Sequence, residues 1–263
     1  MSILEAIVLG VVQGITEFLP ISSSGHLLIV PELFGWSEHG MDFDVAVHVA
    51  TLIAVIWVFW ADLTRMARMV REPSKERTLI LKLIIATIPV GIVGVLFSMM
   101  DMDGLRSTKM VLSGLIGWGA VLWIADIASH KWRRHVKRPE DVSWWQTILI
   151  GLVQALALLP GTSRSGITMT FGLFTGLDRT TAARFSFLIA IPALTGAGLV
   201  VTLDAMQNGL ETGVIPLIVG FVFAFLSGVV AIKFLLSLVS RTSYAWFGAY
   251  RILLGAILWL ILV

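Results

Sequence analysis

GVVQGITEFLPISSSGH, residues 10–26, and GLVQALALLPGTSRSGI, residues 151–167, are two variants of one pattern, and their recurrence decides the architecture. Gly10 aligns with Gly151, Gln13 with Gln154 and Gly25 with Gly166 at a single offset of 141 residues, with a compensating gap and insertion around Pro20 and Pro160. Each copy is apolar for about 15 residues and is then cut by Pro and a Gly/Ser cluster. That is short for crossing ~30 Å of hydrocarbon and suits a re-entrant hairpin. A duplicated, interrupted segment of this kind predicts two broken membrane helices that together build one site.

The rest of the chain supplies the membrane. Of its 263 residues 57% are hydrophobic and only 14% charged, and the mean hydropathy is +0.91. A soluble globule of this size needs more polar surface, so the chain reads as an all-α polytopic membrane protein. Apolar runs of roughly 17 to 25 residues, the length a spanning helix needs at 1.5 Å per residue, fall near 45–61, 79–99, 110–128, 183–203, 214–236 and 245–263. Six spanning helices plus two re-entrant hairpins are therefore expected. No basic segment precedes Ile3 and no small-residue cleavage site follows Leu9, so no cleavable signal peptide is expected. The absence of cysteine excludes disulfides and thiolate chemistry.

A net charge of +2 does not point to nucleic acid, because the basic residues sit where topology signals sit. Arg65, Arg68, Arg71, Lys75 and Arg77 fill one loop, and Lys131, Arg133, Arg134, Lys137 and Arg138 fill another; both are expected on the cytoplasmic side. The stretch with Glu32, Glu38, Asp42 and Asp44 carries no Lys or Arg, nor does the stretch from Asp204 to Glu211, and these are expected outside. Three crossings per half turn the second half upside down relative to the first. The expected organisation is an inverted repeat, 1–128 and 144–263, joined by a basic cytoplasmic linker at 129–143. Hairpin one then dips in from outside and hairpin two from the cytoplasm, with their tips meeting at the midplane. Non-helical backbone at that depth requires protein or a water-filled cavity to satisfy it.

The two copies match in frame and differ in charge. Glu17 stands where the second copy has Leu158, His26 where it has Ile167, and Arg164 replaces Ser23. One half brings an acid and an imidazole, the other a guanidinium. Ionisable groups at membrane depth cost at least ~2.5 kcal/mol and demand partners or a function. Gln13 and Glu17, four apart on a helix, share a face. Ser22, Ser23 and Ser24 add hydroxyls beside His26. The partner run Pro160-Gly161-Thr162-Ser163-Arg164-Ser165-Gly166 has the makings of an anion cradle, with backbone N–H groups, a following helix N-terminus and a guanidinium fork for phosphate oxygens. Arg251, inside the last apolar run, either supports the site or pairs with Asp126 or a backbone carbonyl. His48 and Asp44 read as interfacial, with lining of the cleft mouth as the alternative. The ten Trp residues, including Trp57, Trp60, Trp144 and Trp145, read as headgroup belts. His130 and His135 are given no role.

QGITEFLPISSSGH also fits an (E/Q)xxxE signature, and PGTSRSGIT a PGxSRSxxT signature. In these motifs, in FSFLIAIP after the second one, and in the pair Tyr250-Arg251, the chain resembles the bacterial undecaprenyl-diphosphate phosphatases of the bacitracin-resistance type nearly end to end. The resemblance implies an enzyme of the cytoplasmic membrane that removes the terminal phosphate of undecaprenyl diphosphate, recycles the carrier for cell-wall synthesis and confers bacitracin resistance. It implies a dimer, an active site opening to the periplasm and a divalent cation, Mg²⁺ or Ca²⁺. On these positions Glu17, His26, Ser23 and Arg164 become the catalytic candidates, with Glu17 also the metal ligand. Gln13, Ser22, Ser24, Gly161, Ser163, Ser165, Thr168 and Arg251 become the phosphate-binding candidates. Gln13, an amide where an acid is the other option, weakens any scheme with two carboxylates on one metal.

Water, Ser23 and His26 all remain open as nucleophile at this point. A flippase for polyprenyl phosphate using the same midplane anion site is the alternative function. A pure carrier needs anion-binding residues, whereas phosphoryl transfer also needs an acid, base or metal set, which Glu17 and His26 supply. A purely structural or channel role leaves the grouped acid, imidazole and guanidinium without purpose.

Overall fold

A computed structural model describes residues 1–37, 39–99, 107–131, 136–208 and 211–263. Glu38, Arg133, Arg134 and His135 of the charge argument lie outside the described residues. The chain runs α1 (Ile3–Phe18), α2 (Ser23–Phe34), α3 (Met41–Val58), α4 (Trp60–Met69), α5 (Lys75–Ser98), α6 (Thr108–Ser129), α7 (Trp144–Gln154), α8 (Arg164–Phe174), α9 (Arg179–Asn208), α10 (Val214–Val239) and α11 (Ala245–Leu262), and no named strand occurs among the described residues. Six of these helices, α3, α5, α6, α9, α10 and α11, are long and apolar enough to cross a membrane. They coincide with the six expected spans.

The interrupted segments form short helices that reverse direction. α1 has 16 residues, a rise of about 24 Å at 1.5 Å per residue, short of a ~30 Å hydrocarbon layer. The chain reverses through Leu19 to Ser22, and α2 packs back on α1. In the second copy α7 continues as a short 3-10 turn, Ala155–Leu158, and the chain then reverses into α8, which packs on α7.

The repeat reaches further upstream than the two quoted stretches. α1 starts with a capping box in which Ser2 and Glu5 exchange side-chain and backbone hydrogen bonds, and α7 starts with the same box made by Ser143 and Gln146. Gly10 and Gly151 then do matching work. A Cβ on Gly10 would stand 2.5 Å from the Gly220 carbonyl oxygen of α10, and one on Gly151 would stand 2.7 Å from the Ala86 backbone of α5. Close helix approach of this kind supplies the packing that lipid cannot, because apolar side chains gain nothing by leaving lipid for protein. α10 and α5 are each the second spanning helix of their half. The Phe18, Phe59 and Phe187 rings meet edge-on at 5.5 and 6.2 Å and form the apolar floor under the reversal of α1.

Three expectations need correction. The first span ends at Val58, not 61. The basic segment after it is not a loop: Arg65 and Arg68 belong to helix α4, and Lys75 and Arg77 to the first turn of α5. α4 is strongly amphipathic, and Arg65 meets Asp62 and Glu140 at 3.1 Å while Arg184 of α9 meets Asp62 at 2.7 Å. Asp62 three residues before Arg65, with Glu140 and Arg184 closing in from other elements, balances charge and lets a helix form where net charge alone suggested a loop. Finally, α9 continues to Asn208, so Asp204 lies on a helix rather than in a connection.

Candidate active site

Glu17 is in the last turn of α1, one turn beyond Gln13, so both face the same way. Pro20, which has no N–H and disfavours helix before it, follows immediately. Two residues later Ser22 takes φ 76°, and at the matching point of the second copy Ser163 takes φ 73°. These are the two non-glycine residues with positive φ among the described residues. Such backbone is costly for a residue with a Cβ, and paired strain at repeat-related positions marks a constrained site. Gly161 supplies a third left-handed turn at φ 79°, where a Cβ would stand 2.3 Å from the Val111 carbonyl oxygen, so only glycine fits.

Each strained serine launches a helix. α2 begins at Ser23 and α8 at Arg164, so the two residues exchanged between the copies occupy the same place in the fold. Both reach Glu17. The Ser23 hydroxyl donates to one carboxylate oxygen at 2.8 Å, and an Arg164 Nη donates to the other at 2.8 Å. Gln13 Nε2 adds a third donor at 3.1 Å. His48 Nε2, from α3, lies 3.7 Å from the same oxygen that Ser23 and Gln13 hold. The interfacial reading of His48 is thus corrected: it borders the centre. Asp44, one turn earlier, is turned instead to His39 at 2.8 Å.

Glu17 is 6% and Arg164 13% exposed, so the pair is nearly closed to solvent. Two helix N-termini start at it. The first N–H groups of a helix lack intrahelical acceptors and carry a partial positive charge, which favours an anion there. The other Nη of Arg164 donates to the Ser186 carbonyl at 3.2 Å, and the Thr168 and Ser186 hydroxyls meet at 2.7 Å, so α9 fixes the direction of the guanidinium. Ser186 was missed as a site residue, although it stands inside the quoted FSFLIAIP run.

The serines around the reversals pair in parallel ways. Ser22 meets Ser24 at 3.3 Å, and Ser163 meets Ser165 at 3.2 Å. Ser163 also caps α8 by accepting from the Gly166 N–H, and Ser165 donates to the Leu19 carbonyl at 3.0 Å, tying the second tip to the first. Ser24 remains exposed.

Arg251 departs from a phosphate-binding role. It is wholly buried, and its guanidinium donates to the carbonyls of Pro20, Gly114, Leu115, Gly161 and Thr162 at 2.8 to 3.3 Å. It is the clasp that holds both reversals on α6 and α11. The Asp126 alternative is ruled out, because Asp126 is held bidentately by Arg179 at 2.7 and 2.8 Å, with Ser243 also donating to it. His26 is not in contact with Glu17 or Arg164; its ring is bonded to the Ser22 carbonyl and to Tyr250.

The residues present fit a divalent cation only in one mode. Among the described residues no group of three or more His, Asp or Glu side chains could cage a metal. The Gln13 side-chain oxygen, however, is buried beside Glu17 with no hydrogen-bond partner. One carboxylate plus one amide oxygen suits a hard cation that takes its remaining ligands from substrate phosphates and water.

A many-helix membrane fold whose two matched reversals converge on a buried carboxylate and guanidinium defines a class of polytopic protein built around a buried charged centre. Comparison with known proteins places the chain within that class. Residues 6–257 match the family model described as Bacitracin resistance protein BacA. The chain is 42% identical to Undecaprenyl-diphosphatase 2 of Stutzerimonas stutzeri, over 98% of this chain and 97% of that one. It is 45% identical to Undecaprenyl-diphosphatase of Moorella thermoacetica over the same shares, and 42% identical to that of Alteromonas mediterranea over 98% of each. The chain belongs to the bacitracin resistance protein family.

Proposed function

We propose that this protein is an integral membrane phosphatase that hydrolyses undecaprenyl diphosphate to undecaprenyl phosphate and inorganic phosphate. The observation that carries the reading is the Ser23–Glu17–Arg164 contact, which groups a hydroxyl, a base and an anion-binding fork at two helix N-termini. The names of the relatives agree with it. A carrier for the monophosphate would need the fork but not a hydroxyl already donating to a carboxylate, so hydrolysis is favoured over flipping.

The chemistry follows from these contacts. The terminal phosphate takes Glu17's place on Arg164, which holds two of its oxygens and offsets charge in the transition state. Glu17, freed from the ion pair, takes the Ser23 proton as the Ser23 oxygen bonds to the terminal phosphorus. The anhydride P–O bond breaks and its electron pair leaves on the lipid phosphate. Water then attacks the phosphoserine phosphorus, giving its proton to a base, while the Ser23–phosphorus bond breaks, the Ser23 oxygen takes its electron pair and the proton back from Glu17, and inorganic phosphate is released. Among the nucleophiles left open by the sequence, Ser23 is the one whose proton already points at a carboxylate able to take it. Glu17 and Gln13 would hold a divalent cation, Mg²⁺ or Ca²⁺, which supplies further neutralisation of the phosphate oxygens.

The lipid tail explains the architecture. At ~0.8 kcal/mol per CH₂ a polyprenyl chain stays in the bilayer, so the headgroup must be met at membrane depth. Two re-entrant hairpins, related as an inverted repeat with halves 1–128 and 144–263 joined at 129–143, do this. Matching capping boxes, strained serines and glycine contacts support the repeat. Its family membership supports a place in the bacterial cytoplasmic membrane with the active site toward the periplasm, and the distribution of basic residues supports the matching orientation of the loops; its action recycles the carrier for cell-wall synthesis and protects against bacitracin, and it works as a homodimer. Phosphate release from undecaprenyl diphosphate by detergent-purified protein, with and without chelator, tests the reading. Release that stops with EDTA and returns with Mg²⁺ or Ca²⁺ is expected; no release under any metal condition overturns it.

A further inference from the structure

The resemblance pointed to the pair Tyr250-Arg251, and the structure separates their work. Arg251 clasps the two reversals. Tyr250, one residue earlier and turned about 100° round α11, reaches a different partner: its hydroxyl lies 2.8 Å from Nε2 of His26, 224 residues away in sequence. Nδ1 of the same ring lies 2.8 Å from the Ser22 carbonyl oxygen. The two rings are within 8° of parallel with centroids 5.9 Å apart.

The carbonyl decides the chemistry of the ring. It can only accept, so Nδ1 carries a hydrogen. In the neutral imidazole Nε2 is then the bare nitrogen, and the tyrosine hydroxyl is the donor to it. Ser22 is the strained residue with φ 76° at the first reversal, and its carbonyl also accepts the His26 backbone N–H at 3.3 Å, so the backbone that shapes the tip also fixes the ring. His26 is therefore held at both nitrogens, by a main-chain acceptor on its own hairpin and by a side-chain donor from α11. Tyr250 is 42% exposed, so this second hold faces outward from the hairpin rather than being sealed in the core.

We infer that Tyr250 is a positioning residue of the proposed phosphatase: its hydroxyl and ring hold His26 in one orientation and one tautomer, with Nε2 as the hydrogen-bond acceptor. This deepens the function proposed above and rests on it. The one lone pair of Nε2 is taken up by the Tyr250 hydroxyl, so the ring held this way receives the proton of the water that clears the phosphoserine through that hydroxyl, which passes its own hydrogen to Nε2 as it accepts the water's; neither nitrogen is a free donor to a phosphate oxygen. A tyrosine at 250 is required for the hold because phenylalanine keeps the ring stack and loses the donor.

The test combines kinetics and nitrogen NMR on the full-length protein in detergent. Wild type, Tyr250→Phe, His26→Gln and the double variant are assayed for phosphate release from undecaprenyl diphosphate. Tyr250→Phe is expected to lower kcat roughly 10- to 100-fold with KM nearly unchanged, the scale of a misplaced catalytic group, and to cause no further loss in the His26→Gln background. With ¹⁵N-histidine, the His26 resonances, assigned by their disappearance in His26→Gln, are expected to show Nδ1 protonated and Nε2 bare in wild type, and a tautomer mixture in Tyr250→Phe. Equal losses from Tyr250→Phe in both backgrounds, unchanged turnover in Tyr250→Phe, or a wild-type ring protonated at Nε2 alone would each overturn the inference. The wild-type spectrum decides it even should the variant fold poorly. A wild type that releases no phosphate at all contradicts the parent function, whereas an active wild type with an indifferent Tyr250 contradicts only this inference.

Discussion

Ser23 and Arg164 hold the two oxygens of one carboxylate, each at 2.8 Å, and they stand at the same position of the two repeat copies. A duplicated reversal has thus been used twice toward one acid. The first copy presents a hydroxyl and the second a guanidinium, each at the start of its helix. Divergence there, together with Glu17 against Leu158 and His26 against Ile167, gives the two reversals different jobs at one centre.

The ion pair makes a stability prediction. Glu17 is held by Arg164 in a nearly solvent-free place, so Arg164→Ala strands a buried charge and should destabilise the protein by roughly 3–5 kcal/mol. Adding Glu17→Gln to Arg164→Ala removes the stranded charge and should restore much of that loss without restoring activity. Thermal unfolding in detergent checks this; a double variant less stable than Arg164→Ala alone would show that the pair is not the source of the cost.

Arg251 should behave as a clasp rather than as a substrate ligand. Its guanidinium reaches five carbonyls, and removing it leaves those of Pro20, Gly161 and Thr162, which lie outside helices, as buried acceptors at about 1–3 kcal/mol each. Arg251→Met is expected to lower the unfolding temperature and to lose activity in proportion to lost folded protein. Full stability with a raised KM would instead place Arg251 on the substrate.

Gly161→Ala tests the second reversal. Its φ of 79° and the 2.3 Å approach of a new Cβ to the Val111 carbonyl combine strain with overpacking, each worth roughly 1–3 kcal/mol. Gly10→Ala and Gly151→Ala meet neighbours at 2.5 and 2.7 Å without a positive φ and should cost less. Parallel unfolding curves for the three variants rank them; a neutral Gly161→Ala would mean that the tip relaxes freely.

The proposed topology can be mapped without first removing native thiols, since the chain has no cysteine. Single cysteines at Arg138 and at Ser37 should react with an impermeant maleimide from opposite sides of sealed vesicles, Ser37 from the periplasmic one. Reaction of both from one side would break the inverted arrangement.

Much of this was legible in residues. The six spans follow from length and hydropathy, and the meeting of Glu17 with Arg164 follows from a repeat whose copies carry different ionisable residues at matched positions. What escaped was carried by tertiary packing. His48 comes to Glu17 because α3 packs on α1, and no local pattern announces that. Ser186 acts through a hydroxyl and a carbonyl on α9, in a run that reads as apolar filler. The helical state of α4 is not legible from its charges alone, because Glu140 and Arg184, which pair with Arg65 and Asp62, come from other elements. The capping boxes at Ser2 and Ser143 are readable in the sequence and lie just upstream of the repeated stretches at 10–26 and 151–167. Tyr250 and Arg251 could not be separated from their order alone, because adjacent helical residues face directions about 100° apart and only the packing tells which reaches what.

Steady-state phosphate release from undecaprenyl diphosphate by purified wild type, Glu17→Gln and Arg164→Ala, each verified as folded, bears most directly on the central claim. A wild type that turns over, with both variants down by roughly 100-fold or more in kcat/KM, is the predicted result. Turnover in either folded variant equal to that of the wild type would contradict the assignment of the Glu17–Arg164 centre to phosphoryl transfer.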